Sequence, residues 1–342
     1  MYQKHHCLSI NYGEYPIFSL PFGLHLRSLL CAYLQSPTLV SSSLKVLRVL
    51  DIYRGSGFLD GIGIEHLIHL RYLAISDTLP SMDSFHKLEY LYVENTRAVE
   101  IPDVLLIMVS LRQMYFRGGA YISASFCWQA TKDENFHINS NLHSISVLLI
   151  HSEMDLKVLR CLPNLRRLKG RLESSINYSV DLLNQLESLK LSCWKYSCCI
   201  LISLPTLKKL NLVNVHVSLE QMEIIGRWQY LEVLKLQGVD FQGEQWDTSE
   251  GEFPQLKFLK LDEVQIAEWN TSRYHFPRLQ RLVLQFCDRL KMIPPSLGDI
   301  PTLQMIEVYG CAIAIKESAQ QIQEEQQYIG NEELKVIPLA AF

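Results

Sequence analysis

Apolar residues recur along most of the chain in one fixed spacing, in which positions i, i+3 and i+5 form a triplet. The two clearest triplets, 24 residues apart, are Leu279, Leu282 and Leu284, then Leu303, Ile306 and Val308. The alternation over the end of each triplet predicts a short β-strand. The residues between triplets must return the chain to the start of the next, parallel strand. One such unit cannot bury its own apolar face, so each unit requires neighbours.

This pattern, L-x-x-L-x-L or a degenerate form of it, begins at thirteen positions. They are Leu26, Leu47, Leu70, Leu88, Leu111, Leu142, Leu165, Leu186, Leu207, Leu231, Leu256, Leu279 and Leu303. Their mean separation, about 23 residues, lies in the range of a leucine-rich repeat. The sequence therefore predicts an α/β fold, a leucine-rich-repeat solenoid. We expect a curved horseshoe with a parallel β-sheet on the concave face and an irregular or short-helical convex side.

Regular arrays of this kind place asparagine three residues after the last apolar position, where it hydrogen-bonds the backbone across repeats. This chain mostly has other residues at that position. They are Thr78, Thr96, Val215, Val239, Val264, Cys287 and Cys311. We therefore expect a horseshoe with uneven curvature.

Three segments of the chain depart from the repeat. Residues 1–25 show no clear period and contain two prolines, so we expect an irregular lead-in before an array over 26–311. The longest step between units contains two adjacent glycines followed by polar residues, which predicts a long loop near 117–141; one degenerate extra repeat is the alternative. Residues 312–342 are expected to form a polar C-terminal helix and a tail that cap the last leucine layer.

Composition excludes several classes of protein. Hydrophobic residues make up 48% of the chain and charged residues 20%, which excludes general disorder. The net charge of −4 gives no global argument for nucleic acid or a membrane surface. No apolar run reaches the roughly 18 residues of a transmembrane helix, and no secretory signal is evident. The nine cysteines lack the regular spacing of a disulfide framework, so we expect thiols, including Cys193, Cys198 and Cys199. Thiols fit a reducing compartment, so we expect a cytoplasmic location, with peripheral membrane association left open.

The usual catalytic and cofactor motifs are not found in the sequence. It has no phosphate-binding G-x-x-x-x-G-K-[ST] loop, no H-E-x-x-H zinc helix and no G-x-S-x-G nucleophile turn. His66 and His69 stand three residues apart, but ordinary packing or surface placement explains them better than a metal site. We therefore predict a non-enzymatic protein with no catalytic residue, metal, cofactor or small-molecule substrate.

What remains is the surface formed by the x positions, which on a strand point away from the buried leucines. Tyrosine and arginine, the residue types enriched at binding hot spots, occupy the earlier units. They are Arg71, Tyr72, Tyr90, Tyr92, Arg112 and Tyr115. The later units carry cations. They are Arg166, Arg167, Lys169, Lys190, Lys208, Lys209, Lys235, Lys257 and Lys260.

Among the x positions of the later units, only Glu187 and Glu232 oppose the nine cations, which predicts a site for an acidic protein partner. The alternative is that these charges only keep an exposed strand face in solution. Nucleic acid is disfavoured, because no aromatic residues interleave with the lysines for base stacking.

Several stretches resemble the leucine-rich-repeat region of plant intracellular nucleotide-binding resistance proteins, closest to the late-blight resistance type of the nightshade lineage. The matching stretches are residues 44–52, 64–75, 159–170, 224–246, 250–261 and 276–311. The last of them carries the pattern FP-x-L-x-x-L-x-L followed by C-x-x-L-x-x-IP, which is fairly specific to this family. The resemblance covers about residues 26–325.

The resemblance implies a recognition part of a larger switch. In that family a coiled coil signals, a central module binds ATP or ADP, and the repeats sense a pathogen effector or a guarded host protein and restrain the module. Neither of the first two parts matches this chain, so no nucleotide-binding residue is carried over. The implied function is non-enzymatic protein recognition in plant innate immunity, the defence response that leads to hypersensitive cell death. The alternative is the substrate-recognition array of an F-box-type ubiquitin ligase adaptor.

Overall fold

The computed structural model describes residues 6–10, 25–31, 44–52, 64–76, 78–132, 138, 140–173, 178–179, 183, 185–194, 200–241 and 243–339. The chain divides into two compact units. Unit 1 comprises Met1–Leu149 and Lys157–Lys169, and unit 2 comprises Ile150–Leu156 and Gly170–Phe342.

Unit 1 is built on parallel strands that follow one another along the chain. They are β1 (Cys7–Ile10), β2 (Ser28–Cys31), β3 (Val49–Asp51), β4 (Tyr72–Ser76), β5 (Tyr90–Glu94), β6 (Val99–Ile101), β7 (Gln113–Ile122) and β8 (Ser144–Ile150). Between the strands lie a 3-10 helix (Ile64–His66), α1 (Asp103–Ile107) and α2 (Ala124–Lys132). Two further elements contribute residues to each unit, which are α3 (Glu153–Arg160) and β9 (Arg167–Leu172). One apolar residue of each strand from β2 to β8, except β6, lies in a single buried row. This row is Leu29, Leu50, Leu73, Leu91, Met114 and Ile145.

Unit 2 repeats the arrangement in a more regular form. Its main sheet has the order β11 (Ser188–Cys193), β13 (Lys209–Val213), β14 (Val233–Gln237), β16 (Phe258–Asp262), β18 (Arg281–Gln285), β19 (Met305–Tyr309) and β20 (Lys335–Leu339). The return segments contain two small parallel sheets, β10 (Tyr178–Ser179) with β12 (Ile200–Leu201) and β15 (Gln245–Asp247) with β17 (Glu268–Asn270), besides α4 (Leu219–Gly226), a 3-10 helix (Pro295–Leu297) and α5 (Ile313–Tyr328).

The leucine triplets form the core of unit 2, as the repeat pattern predicts. The first strand leucine of each repeat is in register with that of the next and is almost fully buried. These residues are Leu189, Leu210, Leu234, Leu259, Leu282 and Ile306. Parallel strands with one leucine layer per repeat confirm the leucine-rich-repeat solenoid.

The backbone itself supplies the cross-repeat hydrogen bonds that asparagine supplies in regular arrays. In unit 2, one residue with positive φ follows each main-sheet strand from β13 to β19, and the next side chain turns into the core. The positive-φ residues are Asn214, Gly238, Glu263, Phe286 and Gly310. The amides of the first four donate at 2.8–3.0 Å to the carbonyl that ends the neighbouring strand. Apolar residues such as Val239 can therefore occupy the asparagine position.

Asn95 has the ladder role in unit 1, one residue before the position expected from the repeat. Its buried side-chain amide donates to the carbonyls of Arg97 and Gly119, the latter at 2.9 Å, and its oxygen accepts the Gly118 amide at 3.0 Å. A Cβ on Gly118 would lie 2.8 Å from the Asn95 carbonyl oxygen, so this close approach requires glycine.

The structure differs from the expected loop near 117–141 over its first half. Strand β7 continues through the glycine pair to Ile122, where it pairs with β6, and α2 follows. Ser123 begins this helix, because its hydroxyl accepts the Phe126 amide at 3.1 Å and donates to Asp103 at 2.9 Å. The glycines therefore shape an irregularity in a strand instead of a loop, and residues 133–137 and 139 lie outside the described residues.

Two further differences concern the ends of the chain. Residues Cys7–Ile10, within the expected irregular lead-in, form β1 in parallel with β2. The polar helix expected after the array is α5, but part of the expected tail forms β20, in which Val336 is in register with Ile306. Cys193 is disulfide-bonded, so the expectation of a thiol is wrong there, whereas Cys198 and Cys199 lie outside the described residues.

Candidate protein-binding surface

Each unit exposes the x positions of its L-x-x-L-x-L strands on the side of the sheet opposite the leucine core. We call this side the variable face. Register places equivalent x positions of adjacent strands side by side, about 4.8 Å apart. The side chains predicted from the sequence therefore lie in rows, and their contacts decide which of them are available.

The four tyrosines that the repeat pattern places on the variable face of unit 1 lie together on β4, β5 and β7. Tyr72 is in register with Tyr90, and Tyr92 is in register with Tyr115. The Tyr92 and Tyr115 rings are stacked, with 4.6 Å between centroids and 2° between planes. The Tyr92 hydroxyl donates to Glu94 Oε2 at 2.5 Å. We call these four residues the tyrosine cluster; its rings are held in place yet partly accessible to solvent.

Charged residues flank the tyrosine cluster in both signs. Arg71 pairs with Glu89 at 3.1 Å, and Arg117 pairs with Glu94, the same carboxylate that accepts the Tyr92 hydroxyl. Arg112 is exposed just before β7. Sequence reasoning selected Arg71 and Arg112 but missed Glu94 and Arg117, since both follow the triplet.

The three cations expected at the end of unit 1 are not equivalent. Arg167 and Lys169 are exposed. Arg166 instead donates to the Pro163 carbonyl at 3.1 Å, so its guanidinium turns toward its own loop. Of the three predicted cations in unit 1, Arg167 and Lys169 are thus the ones directed to solvent.

In unit 2, half of the six predicted lysines are already neutralised by acids of the same surface. Lys208 pairs with Glu187 at 3.6 Å, and Lys257 pairs with Glu232 at 3.3 Å. Lys260 lies 2.9 Å from Asp262, an acid at the end of β16 that the sequence-based comparison of charges omitted. Within the part of the chain that the structure describes, Lys190, Lys209 and Lys235 have no carboxylate within 4.0 Å.

An aromatic residue that sequence reasoning missed lies beside these lysines. The Phe258 ring has the Lys235 ammonium 5.2 Å from its centroid and the Arg281 guanidinium 5.6 Å from it. Arg281 also pairs with Glu307 at 2.6 Å. Phe258 occupies an x position of β16, so a search of those positions for aromatic as well as charged residues would have found it.

Other polar features of the described residues lie outside the predicted strand positions. A cavity of about 770 Å³ in unit 2 is lined by four carboxylates, which are Asp240, Glu244, Glu263 and Asp288. Across the described ranges, no three His, Cys, Asp or Glu side chains are grouped as a metal site would require. His66 is mostly exposed, and His69 lies 3.0 Å from Lys87, as expected for surface histidines. None of the described helices is both long and apolar enough to cross a bilayer.

Glu252 is a buried carboxylate of unit 2 that packs between repeats and is only partly hydrogen-bonded. Its Oε2 accepts the Ser249 amide at 3.1 Å, but Oε1 is buried without a hydrogen-bond partner among the described residues. Burial raises the pKa of Glu252, and the Ser249 hydrogen bond opposes the rise. Its side chain packs on Gly226, where a Cβ would lie 3.0 Å from Glu252 Cγ, which explains the glycine at the end of α4.

We expect Glu252→Gln to raise the Tm, and to raise it more at about pH 8 than at about pH 5. The folded state binds this proton more tightly than the unfolded state, so the carboxyl costs stability as pH rises from its ordinary pKa through the raised one. Glutamine removes the buried charge, and its carbonyl can still accept the Ser249 amide. Thermal unfolding of both proteins at the two pH values tests this. The exposed neighbour Glu250→Gln is the control; an equal effect of both substitutions would contradict the assignment.

Comparison with known proteins agrees with this architecture. Late blight resistance protein R1-A of Solanum demissum is 32% identical over 300 residues, which cover 82% of this chain and 23% of that protein. A late blight resistance protein homolog of the same species is 33% identical over 307 residues, with 82% and 22% coverage. The chain thus spans less than a quarter of the length of these two relatives.

The crystal structure of a TDR receptor matches 92% of this chain and 58% of the receptor with a TM-score of 0.50 and 17% identity, a likeness of fold alone. No protein-family model matches the sequence. The chain is therefore a leucine-rich-repeat relative of the late blight resistance proteins of Solanum demissum.

Proposed function

We propose that this chain is a non-enzymatic protein-recognition module of plant disease resistance, which senses a pathogen effector or a guarded host protein and restrains a nucleotide-binding module at rest. Homology to late blight resistance proteins and the leucine-rich-repeat fold support the general part, protein interaction in disease resistance. We propose a cytoplasmic location on the same basis. Under this proposal the nucleotide-binding module binds ATP or ADP, and the chain itself binds no cofactor.

The observation that carries the proposal is the tyrosine cluster of unit 1. Tyrosine supplies a large contact area with little loss of side-chain entropy, and it is enriched at binding hot spots. Stacking of Tyr92 on Tyr115 and the hydrogen bond to Glu94 fix the rings before any partner arrives. Rings fixed in this way reduce the ordering cost of binding.

The test is association of the chain with the nucleotide-binding module of a late blight resistance relative, supplied as a separate protein. We expect the wild-type chain to bind, and Tyr92→Ala combined with Tyr115→Ala to weaken binding by about tenfold or more, because truncating an important interface residue costs more than about 1 kcal/mol and about 1.4 kcal/mol is a factor of ten. Titration followed by fluorescence or calorimetry measures the change.

Tyr230→Ala is the matched control, because Tyr230 is an exposed tyrosine of unit 2; it should bind as the wild type does. The relative's own repeats serve as the positive control. If those repeats bind the module and this chain does not, restraint of the module is excluded. If the double variant binds unchanged with its circular dichroism intact, the tyrosine cluster is not the contact.

A further inference from the structure

Three lysines on the variable face of unit 2 have no carboxylate partner in the described ranges of the chain, and they surround one polar residue. Lys190, Asn211 and Lys235 are in register on β11, β13 and β14, and Lys209 lies two residues before Asn211 on the same face. Strand spacing of about 4.8 Å and a rise of about 3.3 Å per residue place the three lysine Cα atoms about 8–10 Å apart. We call Lys190, Lys209 and Lys235 the lysine triangle.

Pairing with carboxylates distinguishes the triangle from the other lysines of this face. The neighbouring cations Lys208, Lys257 and Lys260 are each paired with a carboxylate of the chain, whereas the triangle's ammonium groups are not so paired among the described residues. The chain as a whole has a net charge of −4, so the triangle is a local positive region on an acidic protein. Like charges at this spacing repel one another at low salt, and an acidic ligand relieves that repulsion.

One edge of the triangle is apolar. Lys235 lies over the Phe258 ring, and Val233 occupies the x position between Lys209 and Phe258 in the same row. Arg281, on the far side of Phe258, is held by Glu307. A ligand that reaches across these strands therefore meets three ammonium groups that have no carboxylate partner among the described residues, one of which lies over an aromatic ring.

We propose that the lysine triangle binds an extended acidic segment of a partner protein, with aspartate or glutamate carboxylates on the three lysines and an apolar side chain on Phe258. The inference rests on the proposed function and deepens it, because it names the chemistry that unit 2 recognises. Separate ammonium groups about 8–10 Å apart suit several carboxylates spread along a chain. A single phosphate favours the bidentate fork of arginine, and Arg281, the arginine nearest Phe258 in the register, already pairs with Glu307.

The proposal can be tested on the full chain with a labelled peptide of about six residues, which spans about 20 Å when extended. The peptide alternates glutamate with leucine, and a second peptide has glutamine in place of glutamate. Fluorescence anisotropy measures binding at about 50 mM and about 300 mM salt. We expect the glutamate peptide to bind at low salt, to weaken as salt rises, and to bind more tightly than the glutamine peptide.

Two double variants with equal charge change separate the triangle from general attraction. Lys209→Gln with Lys235→Gln should weaken glutamate-peptide binding about tenfold, since each exposed ion pair contributes up to about 1 kcal/mol. Lys208→Gln with Lys257→Gln removes lysines that already have carboxylate partners, and it should change binding by less than about twofold. Equal weakening by both variants would overturn the triangle as the site, as would equal binding of the two peptides.

Further measurements distinguish other ligands and the proposed function itself. Binding of a phosphoserine peptide in place of the glutamate peptide would overturn the choice of carboxylates. The variant with Tyr92→Ala and Tyr115→Ala should bind the glutamate peptide as the wild type does. If the lysine variants lose peptide binding while no form of the chain binds the nucleotide-binding module, the result supports the triangle and rejects restraint of that module. If the chain binds the module while the lysine variants keep peptide binding, the result rejects the triangle alone.

Discussion

Replacing Trp246 with alanine should lower the free energy of unfolding by about 3–5 kcal/mol, the range for truncating a buried aromatic residue. Trp246 is 2% exposed and stacks on Trp269 with 5.2 Å between centroids and on Phe241 with 5.6 Å. Phe253 and Phe276 contact it edge-on at 6.2 and 6.3 Å. These five rings form an apolar layer at β15 and β17. Removing the Trp246 ring therefore opens a cavity between two repeats of unit 2.

Denaturant unfolding of the variant and the wild type measures this loss. Trp194→Ala is the matched control, because Trp194 has the same side chain at 66% exposure, and it should change stability by less than about 0.5 kcal/mol. A loss below about 1 kcal/mol for Trp246→Ala would show that the aromatic layer does not hold these repeats together.

Replacing Asn95 with alanine should cost about 3 kcal/mol in unit 1. The substitution removes three hydrogen bonds, which are those to the part-buried Gly118 amide and to the carbonyls of Arg97 and Gly119. Each unsatisfied buried group costs about 1–3 kcal/mol, and part of that cost is relieved as the backbone relaxes. Hydrogen exchange at the Gly118 amide should accelerate, since Asn95 protects that amide directly.

Thr96→Ala provides a direct contrast, because the repeat pattern assigns the ladder position to Thr96, and the structure exposes its side chain. We expect a change of less than about 0.5 kcal/mol. Comparable losses at both positions would mean that the cross-repeat hydrogen bonds of Asn95 contribute little and that the bulge at Gly118 is held by other contacts.

Contacts between repeats also decide which surface residues are available for binding. Lys208 and Lys209 are adjacent in sequence and indistinguishable by residue type, yet only Lys208 reaches an acid, Glu187, from the preceding repeat. The distance between Lys208 and Glu187 depends on strand register, which brings together residues about 20 positions apart. Phe258 gains its two cations in the same way, from the strands on either side.

The repeat, its strands and its core follow from the sequence alone, because the alternation of leucines is a local property that recurs in each repeat. The start of α4 is also a local property, because a serine followed three residues later by glutamine is a capping pattern, and the Ser218 hydroxyl accepts the Gln221 amide at 3.1 Å. Three features could be found only in the tertiary structure: Asn95 takes the ladder role, residues 117–122 continue a strand, and three lysines have no carboxylate partner within the part of the chain that the structure describes. Each of these depends on hydrogen bonds or charges from a neighbouring repeat, and those distances are set by stacking instead of by spacing along the chain.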